Sequence, residues 1–365
     1  MVELSVKNVP IEKRCNLRAL ACATNIPRST LAVYLKKSNM LKRVTSTLRP
    51  FLTEENMKNR LKYALSFVKS KRDGALQFDP MYDRIHVDEK WFYMTKVKQT
   101  YYIWHDETAP LRSTKSKRFI TKVLFLCAVA RPRYDHHRKQ MFDGKLGLWP
   151  VVTREPAKRT SVNRARGTLV TKPINVTADV YRDLLVNCVV PAIKEKFPVS
   201  MKNVPLYIQQ DNAGPHISTE EFQNLCVGGD QSWDIRLTNQ PPNSPDFNVL
   251  DLGFFNTIQS LQYQSSPKTI DELIVAVENA FNLLPCESLA KVFVTLQKVM
   301  ELAIGLKGSN AYKLPHMHKD KEHLDCTVYN VICDPDSFSM ALLSLNSRLV
   351  EEEELSQLAE DFQLL

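Results

Sequence analysis

A chain of 365 residues with 44% apolar side chains is long enough to bury a sizeable core and to divide into two domains. Its 49 lysines and arginines outnumber 40 acids, leaving a formal charge of +9 that points toward a polyanionic partner. No apolar run reaches the roughly 18 residues of a membrane span, and Met1-Val2-Glu3-Leu4-Ser5-Val6-Lys7 lacks a signal-peptide core, so the expectation is a soluble, intracellular chain with no membrane partner.

The positive charge is concentrated where nucleic acid would touch. Residues 1–80 carry 16 lysines and arginines against six acids, and residues 111–175 carry 16 against three. In the first region Asn16 to Ala23 is helix-forming, Thr24-Asn25-Ile26-Pro27 is a turn, and Arg28 to Lys37 predicts a second helix. Leu17, Leu20, Ala21, Ile26, Leu31 and Leu35 would form a small core, which is the helix-turn-helix pattern. The second helix would then offer Arg28, Ser29, Thr30, Tyr34, Lys36 and Lys37 to double-stranded DNA. A plain helical hairpin inside a domain core explains the same pattern less well, given the basic excess.

Arg49 opens a linker and a helix running to about Lys71, with Thr53 as its N-cap. Beyond it, strands at about 84–94, 99–105 and 121–130 predict an antiparallel meander. Helix at 177–196, strand at 204–210, helix at 216–226, strand at 234–238 and a helix from 248 follow, and helices at 269–284 and 286–306 close one face. A meander followed by alternating helix and strand describes a mixed sheet covered by helices. The division expected is 1–45 for DNA binding, 46–80 as linker, 81–310 as catalytic domain and 311–365 as a C-terminal extension.

Residues 131–175 show no strand period and read as a DNA-facing basic insertion touching phosphates, or else as a solvated loop. Lys115-Ser116-Lys117-Arg118 is a short basic run that gives the expectation of a nuclear location only slight support. In the tail, Glu351 to Glu354, Glu360 and Asp361 decorate an amphipathic helix carrying Leu349, Val350, Leu355, Leu358 and Phe362, read as packing on the body or a partner. The eight cysteines show no paired Cys-x-x-Cys spacing, as suits a reducing compartment. His316, His318, His323, Cys326 and Cys333 could supply zinc ligands, but their spacing fits no common site, and loop and packing roles are expected instead.

Three acids stand out because each borders a strongly apolar segment. Asp88 lies inside Ile85-His86-Val87-Asp88-Glu89-Lys90-Trp91-Phe92-Tyr93, a buried strand. Asp211 ends the run from Val204, and Asp251, with 39 residues between the two, opens an amphipathic stretch after Pro241-Pro242-Asn243-Ser244-Pro245. Strand, strand end and helix start are the places from which carboxylates converge on divalent metal in a ribonuclease-H-like fold. In-line displacement at a DNA phosphodiester is well served by two Mg²⁺ or Mn²⁺ ions roughly 3.5–4 Å apart, and hard cations select carboxylate oxygen. Singly, each acid has a plainer explanation: Asn248-x-x-Asp251 resembles a capping box, and Asp211-Asn212 could be a turn or N-cap. Asp88 resists such an explanation, because a charge among Ile85, Val87, Trp91 and Phe92 is costly to bury unpaired.

His86-Val87-Asp88-Glu89-Lys90-Trp91-Phe92, Gln210-Asp211-Asn212-Ala213-Gly214-Pro215-His216 and Asn243-Ser244-Pro245-Asp246-Phe247-Asn248-Val249-Leu250-Asp251-Leu252 resemble the three signature blocks of mariner-like transposases. The 39-residue interval resembles the plant-type branch, whose third acid is Asp, and similarity runs from Val9 to about Lys321. The resemblance implies a catalytic, metal-binding triad of Asp88, Asp211 and Asp251, with Asp88 shared by two ions, and Glu89 and His216 as supporting residues. Asp246 would serve turn geometry. It also implies a homodimer that binds terminal inverted repeats, cuts both strands with metal-activated water and joins the freed 3′-hydroxyl to target DNA, typically at TA. Relatives carry two helix-turn-helix modules, and the expectation here is that the chain begins just before the second. The rival reading is a transposase-derived DNA-binding protein with reduced or no transposition; a general ribonuclease-H-like nuclease is a third, disfavoured by a sequence reader.

Overall fold

The computed structural model describes residues 2–37, 41–44, 48–108, 110–113, 120–162, 164–226, 233–317, 319 and 324–363, the side chains of 37, 226 and 352–363 apart. Two compact units divide it, Met1–Arg49 and Pro50–Leu365. The Lys115–Arg118 run, His318, His323 and the side chains of Leu355, Leu358 and Phe362 lie outside the described residues.

The first unit holds α1 (Val2–Lys7), a 3₁₀ turn (Ile11–Arg14), α2 (Leu17–Thr24) and α3 (Arg28–Lys37). Asn16 caps α2 by accepting from the Ala19 N–H at 2.9 Å. Asn25 ends it at φ 54°, a left-handed conformation that asparagine tolerates. Leu20 and Leu31 are buried, and Leu17, Ala21, Ile26 and Leu35 are half-buried around them. The expected small core therefore forms, with Val9 as a further buried member.

In the second unit, α4 (Glu54–Ser66) starts at Thr53, whose hydroxyl accepts from the Asn56 N–H at 3.1 Å. The helix stops before Lys71, because the chain turns into a small hairpin of β1 (Val68–Ser70) and β2 (Leu76–Phe78). The main sheet has the order β11-β10-β3-β4-β7, built from β3 (Arg84–Tyr93), β4 (Lys122–Ala130), β7 (Lys145–Pro150), β10 (Leu206–Gln210) and β11 (Ile235–Asn239). β3 runs parallel to β10 and antiparallel to β4, and β10 runs parallel to β11.

Alternation along β3 and β4 sends side chains to two cores. Ile85, Val87, Leu126 and Ala128 meet α5 (Ala178–Leu184), a π turn (Leu185–Val189), α6 (Val190–Lys196) and α7 (Thr219–Cys226). Phe92, Phe125, Cys127 and Val129 meet α4, α8 (Phe255–Gln262), α9 (Ile270–Leu283), α10 (Cys286–Gly305) and the first part of α11 (Pro335–Gln363). No single helix among the described residues is long and apolar enough to cross a membrane.

The structure corrects the meander. Residues 99–105 form no strand, and Tyr102 and Trp104 stand exposed, so the β-favouring side chains there found no neighbouring strand to pair with. The third meander strand is β7, antiparallel to β4. Gly144 precedes it at φ 75°, where a Cβ would lie 2.1 Å from the Ala130 carbonyl oxygen, so only glycine fits this close approach.

Residues 131–175 are likewise not strandless. They contain a short hairpin of β5 (Arg133–Asp135) and β6 (Gln140–Phe142), then β7, then a second hairpin of β8 (Val152–Pro156) and β9 (Leu169–Pro173). Several of the basic residues face inward. Arg131 is fully buried and donates to the carbonyls of Pro80, Cys326 and Tyr329 and to Asn330 Oδ1. Lys145 closes the end of α9 by donating to the Asn282 and Leu284 carbonyls at 2.9 Å. The β8–β9 hairpin keeps the larger exposed basic set, Arg154, Lys158, Arg159, Arg164 and Arg166, and the β5–β6 turn exposes Arg138 and Lys139. Cys326 and Cys333 are buried members of the helical core, as the packing reading expected.

Candidate active site

Asp88 sits in the middle of β3, opposite Cys127 on β4. On its other side the parallel register pairs Tyr207 with Arg84, Ile208 with Ile85 and Gln209 with His86. Two steps further along that register, Asp211 comes beside Asp88. Asp251 lies in the π turn Leu250–Phe254 that leads into α8, close enough to Asp88 for its charge to act on that carboxyl. The three acids therefore share one neighbourhood.

Their electrostatics reflect the crowding. Burial raises the Asp88 carboxyl well above the usual range, and the charges of Asp251, Glu89 and Asp211 push it further. Burial also raises Asp251, against the pull of the Lys90 ammonium. Asp211 is held below its usual value by the hydrogen bond from His216.

His216 ties the acid cluster together from below. Its Nδ1 lies 2.9 Å from Asp211 Oδ1 and its Nε2 lies 3.2 Å from Glu89 Oε1. The ring stacks on Tyr181 with centroids 4.1 Å apart, and the Tyr181 hydroxyl donates to Gln210 Oε1 at 2.9 Å. Burial alone would lower the imidazole, but Asp211 and Glu89 override it and raise it to about 10. Its folded value lies above the unfolded 6.5, so its stabilisation is complete below about pH 6.5 and is lost as pH rises through about 10. Urea midpoints of metal-free protein should fall across that window, and His216→Gln should flatten the fall; an unchanged slope in the variant would refute the assignment.

Asn248 is a site residue that the sequence did not single out. Fully buried, it donates from Nδ2 to the Val87 carbonyl at 3.2 Å and to Asp88 Oδ2 at 3.4 Å, while its Oδ1 accepts from the Leu250 N–H at 3.1 Å. It thus fixes the segment bearing Asp251 to the strand bearing Asp88. This replaces the capping box: the Asn248 side chain reaches residue i+2, and Asp251 turns to Asp88. The sequence offered it as a helix cap and as part of the third signature block; its place between the apolar Phe247 and Val249, both fully buried, was the sign of an inward role.

Asp246 likewise does more than shape a turn. Its two carboxylate oxygens accept from both terminal nitrogens of Arg60 at 2.7 Å, and it also accepts from the Tyr312 hydroxyl. Arg60, fully buried, further donates to the Gly308 carbonyl at 2.9 Å and lies 4.2 Å over the Phe247 ring. The Tyr63 hydroxyl, one turn along α4, donates to Gln209 Oε1 at 2.5 Å, and Gln209 Nε2 donates to the Phe247 carbonyl at 3.0 Å. Neither arginine nor tyrosine was distinguishable in the sequence from an ordinary helix-surface residue.

In the first unit, Arg28, Ser29 and Lys36 are exposed on α3, and Thr30 and Tyr34 are half-buried; the side chain of Lys37 lies outside the described residues.

Among the described residues no three His, Cys, Asp or Glu side chains stand as a ready coordination shell. The donor chemistry nevertheless fits a hard divalent cation: Asp88, Asp211 and Asp251 offer only carboxylate oxygen. The buried, like-charged Asp88 has the excess of negative charge that such a cation would relieve.

Comparison with solved structures finds this architecture in Mos1. The chain aligns with a Mos1 strand transfer complex at a TM-score of 0.56 and 16% identity, covering 85% of this chain and 79% of that one. The chain has the fold of a mariner transposase. A Mos1 paired-end complex with the left transposon end gives 0.55 at 16% identity, over 84% and 79%, and a Mos1 paired-end complex with Mn gives 0.53 at 15%, over 80% and 75%. No protein-family model and no curated protein sequence matches. The ribonuclease-H-like sheet covered by helices, preceded by a small helical region, is thus as the sequence led one to expect.

Proposed function

We propose that this chain is a mariner-like DNA transposase of the plant-type branch, acting by metal-dependent cut-and-paste transposition. The observation that carries the reading is the meeting of Asp88 from the middle of β3, Asp211 from just past the end of β10 and Asp251 from the π turn, within the mariner transposase fold. The solved Mos1 complexes hold transposon-end DNA, and others contain Mn or Mg, which supports DNA and a divalent cation as partners.

In this reading Asp88, Asp211 and Asp251 would together hold the two Mg²⁺ or Mn²⁺ ions. Bound there, divalent cations would make water a competent nucleophile and offset charge on the leaving oxygen. Asn248 fastens the segment bearing Asp251 to the strand bearing Asp88, and His216 with Glu89 orients Asp211. Arg28, Ser29, Thr30, Tyr34, Lys36 and Lys37 present α3 to the terminal inverted repeats in helix-turn-helix fashion. The exposed lysines and arginines of the β8–β9 hairpin supply phosphate contacts. Strand transfer into TA, assembly as a homodimer and a nuclear location complete the proposal.

The test is cleavage of a duplex ending in the element's inverted repeat, with Mg²⁺ or Mn²⁺, by the full chain and by Asp88→Ala. Wild-type nicking at the repeat end that the variant lacks is expected. Equal binding of the repeat by both proteins with cleavage by neither would favour a transposase-derived DNA-binding protein. Cleavage of any duplex with equal efficiency would favour a general nuclease.

A further inference from the structure

A groove of about 690 Å³ opens between the far end of β3, the loop that follows it and the exposed side of α8. None of its eleven lining residues is acidic, and three are lysines: Lys96, Lys98 and Lys122. Among the described residues no carboxylate pairs with any of the three. Aromatic rings stand in the place of counter-ions. The Lys96 ammonium lies 4.1 Å from the centre of the Tyr263 ring, and that of Lys122 lies 4.0 Å from the Trp91 ring. Gln259 donates to the Tyr263 hydroxyl at 3.2 Å, which steadies the ring at the groove wall.

Both walls begin at the acid cluster. β3 carries Asp88 and leads to Tyr93 at the groove, and α8 follows directly on the turn carrying Asp251. Asn256, a lining residue, is five positions beyond Asp251, across a kink at Gly253. Beyond Lys98 the same loop holds Tyr102 and Trp104, 102% and 77% exposed. Unpaired cations interleaved with π faces are what a single nucleic-acid strand binds, phosphates on the lysines and bases on the rings. A volume of this size is that of a small-ligand site, room for a nucleotide or two.

We propose that this groove is a binding track for an unpaired DNA strand that enters or leaves the acid cluster. The inference rests on the transposase reading and adds to it a site for single-stranded DNA. Binding can be tested without turnover, by fluorescence anisotropy of the full chain in EDTA. The probes are a blunt duplex, the same duplex with a five-nucleotide overhang at either end, and the overhang sequence alone.

Wild type should hold an overhang probe about tenfold more tightly than the blunt duplex, the effect expected of one or two stacked bases. Lys96→Ala/Tyr263→Ala should lose that preference yet bind the blunt duplex within about twofold of wild type. Lys98→Ala, at an exposed position with no packing to disturb, should lower overhang binding alone and make its salt dependence shallower by about one phosphate. Equal wild-type affinity for blunt and overhang probes overturns the groove assignment while leaving the transposase reading intact. So does a preference that survives both variants, or an equal loss on every probe. Absence of DNA binding by wild type overturns both.

Discussion

Replacing Asp88 with Asn should abolish metal-dependent strand cleavage, by about 10³-fold or more, while raising the melting temperature of the metal-free protein. The first effect follows from losing one of the three carboxylates proposed to hold the cations, on which charge neutralisation at attacking and leaving oxygens depends. The second follows from the sign of the Asp88 shift. Its folded value is raised, so its favourable contribution is complete below the unfolded value of 3.8 and lost as pH rises through the folded one. At neutral pH the native state therefore bears the cost of a half-buried acid crowded by like charges, which an isosteric amide relieves. The amide keeps the oxygen that accepts from the Glu89 N–H at 2.8 Å and gives up only the long 3.4 Å approach from Asn248.

Metal reverses the ranking. Mg²⁺ at a hundredfold excess over its Kd should stabilise wild type by about 2.7 kcal/mol, and Asp88→Asn by little. Calorimetric scans of both proteins with and without Mg²⁺ check this. A variant that melts below wild type without metal, or gains as much from Mg²⁺, would mean that Asp88 is not the strained member of the cluster.

Arg60→Ala should be the most damaging substitution away from the acids, costing about 3–5 kcal/mol because it leaves the Asp246 carboxylate without its guanidinium partner. The side chain is 0% exposed and makes the paired 2.7 Å bonds as well as the bond to Gly308. The melting temperature should fall by about 10 °C at the usual 2–4 °C per kcal/mol. Asp246→Asn should cost less, and the apolar pair Arg60→Met/Asp246→Leu should recover part of the loss, since removing both partners leaves no orphaned charge. Additive losses in the double variant would show that the two residues act separately.

The three acids that the structure brings together drew notice because each borders an apolar run, and the family resemblance joined them into a proposed triad. A carboxylate among Ile85, Val87 and Phe92, two more at the ends of apolar runs, and a fixed order left few alternatives. Helices with clear periodicity, α9 and α10 among them, were legible for the same local reason. The long helix over 177–196 was also found, although its π turn at Leu185–Val189 left no trace in the periodicity. What failed was tertiary. Leu146 and Leu148 in β7 reach opposite cores although they are two apart, because the β4–β7 register shifts between Lys145 and Gly147, and with Gly144 and Gly147 so short a strand keeps no regular signature. Tyr101-Tyr102-Ile103-Trp104 has every local preference for a strand and no partner. Arg131 and Lys145 counted toward a basic surface because composition cannot tell an arginine that meets phosphate from one that satisfies buried carbonyls.

The α4 helix sets where this molecule can be divided. Leu61, Ala64 and Leu65 belong to the helical core, while Arg60 and Tyr63 hold the loop just ahead of Asp251 through Asp246 and Gln209. A fragment begun at residue 81, where a linker would have been trimmed away, would expose that core face and strand a carboxylate. Excision before Pro50 spares both, so the smallest piece fit for crystallography or single-turnover work carries its own connecting helix.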